Sequence, residues 1–343
     1  MNSFSFSAPE DVAEALRQVG IGIPGETKFI AGGTNLIDLM KEHVETPVSL
    51  VDISQLPLSL IEPSSIGGLL IGAMVRNADT AYHPLVRQHY PLLSHAILSG
   101  ASAQIRNMAS NGGNLLQRTR CVYFYDVAVP CNKRRPGSGC PAIAGLNRQH
   151  AILGTSEMCI ATHPSDMCVA LAALQAIVHV RSVNGSRQIA FSDFHRLPGD
   201  RPDMDTSLAE GELITHIELP PAQQFVNHCT YLKLRDRASY AFALVSVAVA
   251  LDIADDGSIN EARIALGGVA HKPWRLPEAE ALLAGELPTS AAFVRVADYL
   301  LKDAQGQGNN NFKLSMAHRA IIRALELAAA SSCRQADVAG VVT

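Results

Sequence analysis

Basic residues are not in excess in this chain: 28 Lys and Arg stand against 32 Asp and Glu, a formal net charge of −4. That leaves no broad electropositive surface for nucleic acid or anionic lipid, so no nucleic-acid partner is expected. Long hydrophobic runs are missing too. The most apolar stretch, residues 240–251, is too short to cross a bilayer; it predicts a buried strand or helix and no membrane insertion. The opening residues lack the basic start and apolar core of an export signal, so no signal peptide is expected there. Charged residues make up 17% of the chain and hydrophobic residues 48%, a balance that excludes a disordered or fibrous protein. Internal repeats and low-complexity tracts are absent. A length of 343 residues suits two or three cores.

Cysteine, by contrast, is concentrated. Of seven in the chain, Cys121, Cys131, Cys140, Cys159 and Cys168 lie between residues 121 and 168, while Cys229 and Cys333 stand apart. An odd total without an export signal argues against a disulfide scaffold. A local cluster of this kind is a metal or metal–sulfur site, or a set of buried thiols.

Along the chain, Ser7 and Glu10 form a capping-box pattern with Pro9 between them. Val12, Leu16 and Val19 then mark one helical face that Gly20 ends. Residues 28–31 predict a strand running into Gly32-Gly33-Thr34-Asn35, with helical spacing over 36–40. Strands are predicted over 49–53 and 69–75, and a helix over 91–107 that leads into Asn111-Gly112-Gly113-Asn114. No periodicity survives over 118–158, a length of loop that is usually functional or disordered; the cysteines favour an ordered loop held by metal. A helix over 167–176, a hairpin around Asn184-Gly185, an exposed loop over 198–206 and a strand over 212–219 follow. Pro220-Pro221 marks a domain boundary. Antiparallel strands near 231–233, 241–253 and 260–266 and helices over 291–303 and 314–329 close the chain.

The two glycine loops share a form that lets backbone N–H groups turn toward an anion such as a pyrophosphate, with Thr34, Asn35 and Asn114 adding side-chain hydrogen bonds. Neither GxGxxG nor GxxxxGK[ST] is present, and a lone GG pair is ordinarily a turn. Two such loops beside a cysteine-rich loop make a dinucleotide and a redox cluster a coherent pair.

The spacing Cys121-x9-Cys131-x8-Cys140-x18-Cys159 contains no CxxC knuckle. Three readings stay open: buried structural thiols, which suit Cys168, Cys229 and Cys333; a four-cysteine zinc site; and a [4Fe–4S] cluster, which tolerates wide spacing. Lys133, Arg134 and Arg135 predict a solvated charge run, with a role in raising a cluster's potential or meeting an acidic partner as the alternative. His163 is expected to lead into a helix rather than to bind a ligand. Asp166 is expected as a helix N-cap or a carboxylate for ribose or ribityl hydroxyls, and Trp274 in a packed turn.

Taken together, Phe29-Ile30-Ala31-Gly32-Gly33-Thr34-Asn35-Leu36, Gln104-Ile105-Arg106-Asn107, Gly112-Gly113-Asn114 and His163-Pro164-Ser165-Asp166-Met167 resemble, in this order, the medium FAD-binding subunits of the xanthine oxidase family. Gln117-Arg118-Thr119-Arg120-Cys121, Pro130-Cys131-Asn132-Lys133-Arg134, Pro136-Gly137-Ser138-Gly139-Cys140, the stretch 233–244 and residues 265–274 narrow the resemblance. They are similar to the bacterial trimeric aldehyde oxidoreductase branch, whose flavin subunit carries an extra [4Fe–4S] cluster. The resemblance covers nearly the whole chain. One departure is Ala109-Ser110, where many relatives have Gly-Thr; Ser110 keeps the hydroxyl.

This resemblance implies an α+β fold: a two-lobed FAD-binding domain of the vanillyl-alcohol-oxidase type over 1–220 (lobes 1–55 and 56–220, with the cysteine loop 118–160), then a carbon monoxide dehydrogenase flavoprotein-like α+β domain over 221–343. It implies that Lys28, Phe29, Ile30, Ala31, Gly32, Gly33, Thr34, Asn35 and Leu36 wrap the FAD pyrophosphate, with Ser110, Gly113, Asn114 and Gln117 completing the cradle. Asp166 would bind the flavin's sugar-alcohol chain and Lys233 would lie near the isoalloxazine. Cys121, Cys131, Cys140 and Cys159 would hold the [4Fe–4S] cluster. The implied partners are a large molybdenum-cofactor subunit and a small subunit with two [2Fe–2S] clusters, in a heterotrimer or its double. Electrons would pass from them to FAD and on to an external acceptor. No catalytic residue is assigned, and the chain alone is expected to oxidise no aldehyde. Relatives can reach the periplasm by co-export with a signal-bearing partner, so the expected compartment is the cytoplasm or, by co-export with a partner subunit, the periplasm. Two rivals remain: a free-standing FAD-dependent oxidoreductase with its own substrate pocket, and a zinc-stapled interaction subunit without flavin.

Overall fold

Three sheets organise residues 1–21 and 25–330, the part of the chain that the computed structural model describes. In the first lobe β1 (Ser5–Ser7), α1 (Val12–Gly20), β2 (Thr27–Ile30), α2 (Leu36–Lys41) and β3 (Ser49–Asp52) form a small parallel sheet in the order β1-β3-β2. The predicted cap of α1 is corrected here. Ser7 ends β1, and the cap is Asp11, whose carboxylate accepts the Glu14 amide at 2.7 Å.

The second lobe begins with β4 (Ile61–Pro63) and β5 (Leu69–Gly72), followed by α3 (Asn77–Tyr82), α4 (Pro84–His89), α5 (Pro91–Ser99), α6 (Ala103–Arg106), α7 (Asn111–Leu115) and α8 (Val122–Tyr125). After the cysteine loop come α9 (Asp166–Ala173), β6 (Ile177–Ser182), β7 (Gly185–Ala190), α10 (Phe191–Phe194) and β8 (Leu213–Leu219). Its antiparallel sheet runs β4-β5-β8-β6-β7. The single helix expected over 91–107 is two, because the chain breaks at Gly100 and Ala101, the latter with φ of 51°. Every residue of α9 is buried, as suits a helix that is apolar on all sides.

The C-terminal part packs the antiparallel sheet β11-β10-β9, namely β9 (Cys229–Leu234), β10 (Val245–Ile253) and β11 (Ile259–Gly267), with α11 (Pro277–Glu280), α12 (Ser290–Leu300) and α13 (Phe312–Ala330). Of the apolar stretch noted in the sequence, only 245–251 is buried strand, in β10; Tyr240 and Phe242, ahead of it, are exposed. Two main cores result, one under the five-stranded sheet and one between this sheet and α12–α13. The cysteine loop is tied into the second. Ile152 and Leu153 are buried in it, their amides donate to Val269 O at 2.9 and 3.0 Å, and Ile152 O accepts from Gln305 N at 2.8 Å. The fold is therefore two-domain α+β. No helix among the described residues is long and apolar enough to cross a membrane.

Candidate functional site

The first glycine loop approaches the segment leading into α7 because Gly32 has no side chain; the second loop expected over 111–114 is instead helical and makes up most of α7. A Cβ on Gly32 would stand 1.9 Å from Met108 O, so the β2–α2 loop packs directly on the backbone leading into α7. Gly33 has φ of 69°, the left-handed turn that starts α2. Ser110 caps α7, its hydroxyl accepting the Gly113 amide at 3.2 Å. Asn35 Oδ1 accepts from Arg118 N at 2.9 Å. Its Nδ2 is buried without a protein partner, a donor left over for a ligand.

Two cavities open along these segments. One, of about 410 Å³, is lined by all of Lys28, Phe29, Ile30, Ala31, Gly32, Gly33, Thr34, Asn35 and Leu36, with Ser110, Gly113 and Gln117. The other, of about 830 Å³, is lined by Asn114, Asp166, Ile97, Ile105, Arg106 and Phe242 among others. They share Thr34, Asn35, Gly113 and Gln117, so together they form one long cleft. Such a shape takes an elongated ligand with an anionic middle and an apolar end.

A buried amide chain fixes the cleft's wall. Asn77 Nδ2 donates to Asn111 Oδ1 at 2.8 Å, Asn111 Nδ2 to Thr80 Oγ1 at 2.7 Å, and Asn114 Nδ2 to Asn77 Oδ1 at 2.6 Å. Asn114 Oδ1 accepts from Ser165 Oγ at 2.5 Å and Gln117 Nε2 at 2.9 Å. Asn77 was not singled out from sequence; its only signal is an Asn at the start of a helix 34 residues before Asn111.

The N-cap of α9 is Ser165 rather than Asp166. Asp166 occupies the first helical position, lines the larger cavity, and accepts from Tyr231 OH at 2.7 Å and Lys233 Nζ at 2.8 Å. Burial and then the Asp166 charge push the Tyr231 hydroxyl well above its ordinary pKa, so it stays a donor. Lys233 also donates to Ser99 O at 3.0 Å. It lines neither cavity and stands behind Asp166.

The four loop cysteines converge. Cys121, Cys131, Cys140 and Cys159 line one small cavity with Tyr123, Phe124, Pro130, Pro141 and Ala142. Burial pushes the Cys121 thiol up to about 12, the Cys159 thiol to about 11, and Cys140 in the same direction. Backbone N–H groups oppose this shift at each: Phe124 and Tyr123 at Cys121, Ala142, Ile160 and Ile143 at Cys140, Ala161 at Cys159. Local polar clamps order the loop. Asn132 exchanges hydrogen bonds with Gly139 at 2.9 and 2.7 Å and donates to Met158 O at 2.9 Å.

The basic run is not solvated. Lys133 is 3% exposed, and Arg134 donates to the carbonyls of Tyr123, Asp126 and Val129; only Arg135 faces solvent. The segment 198–206, expected as exposed, is partly covered, because it supplies the acceptors for Lys133. Asp205 pairs with Lys133 at 2.5 Å and with Arg118. It also lines the smaller cavity. Burial raises its pKa, but Arg118, Lys133 and His271 outweigh that and hold it well below the carboxylate range.

Among the described residues, one group brings three ligand atoms within 4.8 Å of one another: His163, Cys168 and His195. Its chemistry points to packing. His195 Nε2 donates to Leu115 O at 2.8 Å, closing the end of α7. Burial lowers His195 to about 4 and His163 well below its ordinary range, so both imidazoles are neutral. No three of the four loop thiols come that close, a wider spread than thiolates about one zinc at about 2.3 Å each. Of the remaining cysteines, Cys168 is fully buried. Cys229 is buried and disulfide-bonded, not a free thiol as expected. Cys333 lies outside the described residues.

Residues 2–222 match the family model described as the FAD binding domain in molybdopterin dehydrogenase, and residues 230–328 match the CO dehydrogenase flavoprotein C-terminal domain. The chain is 50% identical to the aldehyde oxidoreductase FAD-binding subunit PaoB of Escherichia coli (strain K12), over 97% of this chain and all of that one. It is 28% identical to the glyceraldehyde dehydrogenase medium chain of Sulfolobus acidocaldarius, over 92% of this chain and 90% of the relative. Its fold superposes on the carbon monoxide dehydrogenase of Hydrogenophaga pseudoflava that lacks the Mo-pyranopterin moiety of the molybdenum cofactor. There the TM-score is 0.74 and the identity 26%, over 95% of this chain and 97% of that one. With two domains in this order, a cleft built from both glycine segments and a family match over most of its length, the chain belongs to the FAD-binding medium subunits of the molybdopterin dehydrogenases.

Proposed function

We propose that this chain is the electron-transfer subunit of a molybdenum-containing aldehyde oxidoreductase, and that it works in a heterotrimer with a large molybdenum-cofactor subunit and a small subunit bearing [2Fe–2S] clusters. The reading places the FAD-binding domain in 1–220 and the C-terminal domain in 221–343. It rests above all on the long cleft whose two halves share Thr34, Asn35, Gly113 and Gln117, and on the kinship with an aldehyde oxidoreductase subunit.

FAD fits this cleft by its chemistry. Gly32 and Gly33 bring bare backbone to the wall, Asn35 Nδ2 offers an unpaired donor, and Ser110 and Asn114 hold α7 in place. Asp166 would take the sugar-alcohol hydroxyls. Lys233 acts through Asp166, as its partner. When bound, FAD supplies exchange of one or two electrons, which suits a relay between metal centres and an external acceptor.

Cys121, Cys131, Cys140 and Cys159 would hold a [4Fe–4S] cluster. The support is the donor set itself: four thiols around one cavity, spaced too widely for a single ion, with backbone N–H groups directed at the sulfurs of Cys121, Cys140 and Cys159. Export to the periplasm alongside a partner fits the same reading.

The test is co-purification and turnover. Expressed with its partners, the chain should be yellow-brown and the complex should oxidise aldehydes with an artificial acceptor. Expressed alone, it should turn over no aldehyde. Aldehyde turnover by the lone chain would instead favour a free-standing flavoenzyme.

A further inference from the structure

We propose that Lys133 is a positioning charge for the four-cysteine centre: it raises the centre's reduction potential, and Asp205 moderates that effect. This rests on the cluster reading above.

The geometry is specific. Lys133 falls in the chain between two of the cysteines, Cys131 and Cys140, and it borders the same small cavity as all four thiols. It is almost wholly buried, at 3% exposure. Its ammonium has three protons and three acceptors: Pro202 O at 2.8 Å, Asp205 Oδ1 at 2.5 Å and His271 Nε2 at 2.6 Å. His271 Nδ1 lies 2.8 Å from Arg196 O; as donor there it leaves Nε2 free to accept. The ammonium is therefore fixed in place rather than reaching for water.

A buried ion pair is poor at stabilising a fold, since an apolar residue of similar size commonly serves as well. A fixed charge beside a redox centre has a different effect. Reducing the cluster by one electron adds one negative charge, which a nearby cation favours and a nearby anion opposes. On this side the charged groups are Lys133, Asp205 and Arg118, with Glu45 bridging Arg118 and Lys28. Lys133 alone of these lines the cysteine cavity, whereas Asp205 lines the dinucleotide cavity. The two members of the pair thus act on the cluster with opposite sign.

The experiment is an anaerobic redox titration of the co-expressed complex, followed by electron paramagnetic resonance of the reduced cluster and accompanied by iron analysis. At the potential that half-reduces the wild-type cluster, Lys133→Met should lower the reduced-to-oxidised ratio about tenfold, about 59 mV for a one-electron couple. Lys133→Arg should stay at the wild-type value, and Asp205→Asn should shift the ratio upward. A Lys133→Met protein with full iron and an unchanged potential overturns the proposal, as does any downward shift in Asp205→Asn. Should Lys133→Met fail to hold iron, the direction of the Asp205→Asn shift decides alone. Wild-type complex without iron at the four cysteines would instead sink the underlying cluster reading.

Discussion

Lys233 Nζ stands 2.8 Å from Asp166 Oδ2, with both side chains less than a tenth exposed. The pair joins β9 of the C-terminal domain to the first turn of α9 in the FAD-binding domain, and Asp166 meets the larger cavity while Lys233 does not. Removing one partner strands the other as a buried charge. Lys233→Met should therefore cost about 3–5 kcal/mol, and Asp166→Asn combined with it should recover most of that loss. Urea unfolding of the single and the double variant measures both. A single substitution costing under about 1 kcal/mol, as at an exposed pair, would show that the junction is not held this way.

Gly32 supports the second prediction. An added methyl meets the Met108 carbonyl, which is backbone and has little room to retreat. Gly32→Ala should leave the circular dichroism of the chain unchanged while weakening flavin retention at least about tenfold, or about 1.4 kcal/mol. Full flavin occupancy in that variant would mean that the loop does not need its close approach.

Asn77 lines the larger cavity and holds Asn114 there. Asn77→Ala leaves Asn114 Nδ2 and Asn111 Oδ1 without their partners, at about 1–3 kcal/mol. Thermal denaturation should show the loss, and flavin affinity should fall with it because Asn114 is freed to rotate. Unaltered stability and affinity would remove Asn77 from the site.

Acid should destabilise the protein in a defined window. His195, lowered to about 4, and His163, held well below its ordinary range by burial, are neutral when folded, against an ordinary value of 6.5. Between about 4 and 6.5 the unfolded chain binds more protons than the native one, so stability rises with pH there and is lost as pH falls. Each group contributes at most about 1.36 kcal/mol per pH unit. His195→Gln, which can still donate to Leu115 O, should flatten the slope of unfolding free energy between pH 6.5 and 4. An unchanged slope would show that His195 titrates normally.

Much of this was legible in the sequence where the signal is local. Gly32 and Gly33 sit in a turn that marks itself and Asp166 follows a short polar motif, whereas Gly112 and Gly113, expected in a second loop, lie in α7. Cys121, Cys131, Cys140 and Cys159 stood out by concentration, although nothing in their spacing indicated that they converge. The misreadings came from long-range partners. Lys133 looked like surface because its counter-ion, Asp205, lies 72 residues away in a segment of exposed composition. The cap of α1 moved from Ser7 to Asp11 because Ser7 was taken by strand pairing with β3. The pairing of Lys233 with Asp166 was missed because it depends on how two domains dock, which no local pattern encodes. Small elements such as β1 and β4 are too short for any periodicity.

Prosthetic-group analysis of anaerobically purified protein tests the central claim most directly. The account predicts FAD equimolar with the chain, iron and acid-labile sulfide in equal amounts, and loss of the brown colour but not the yellow when any one of Cys121, Cys131, Cys140 or Cys159 becomes serine. Protein that carries zinc or no metal at these cysteines, or that binds no flavin, would contradict it.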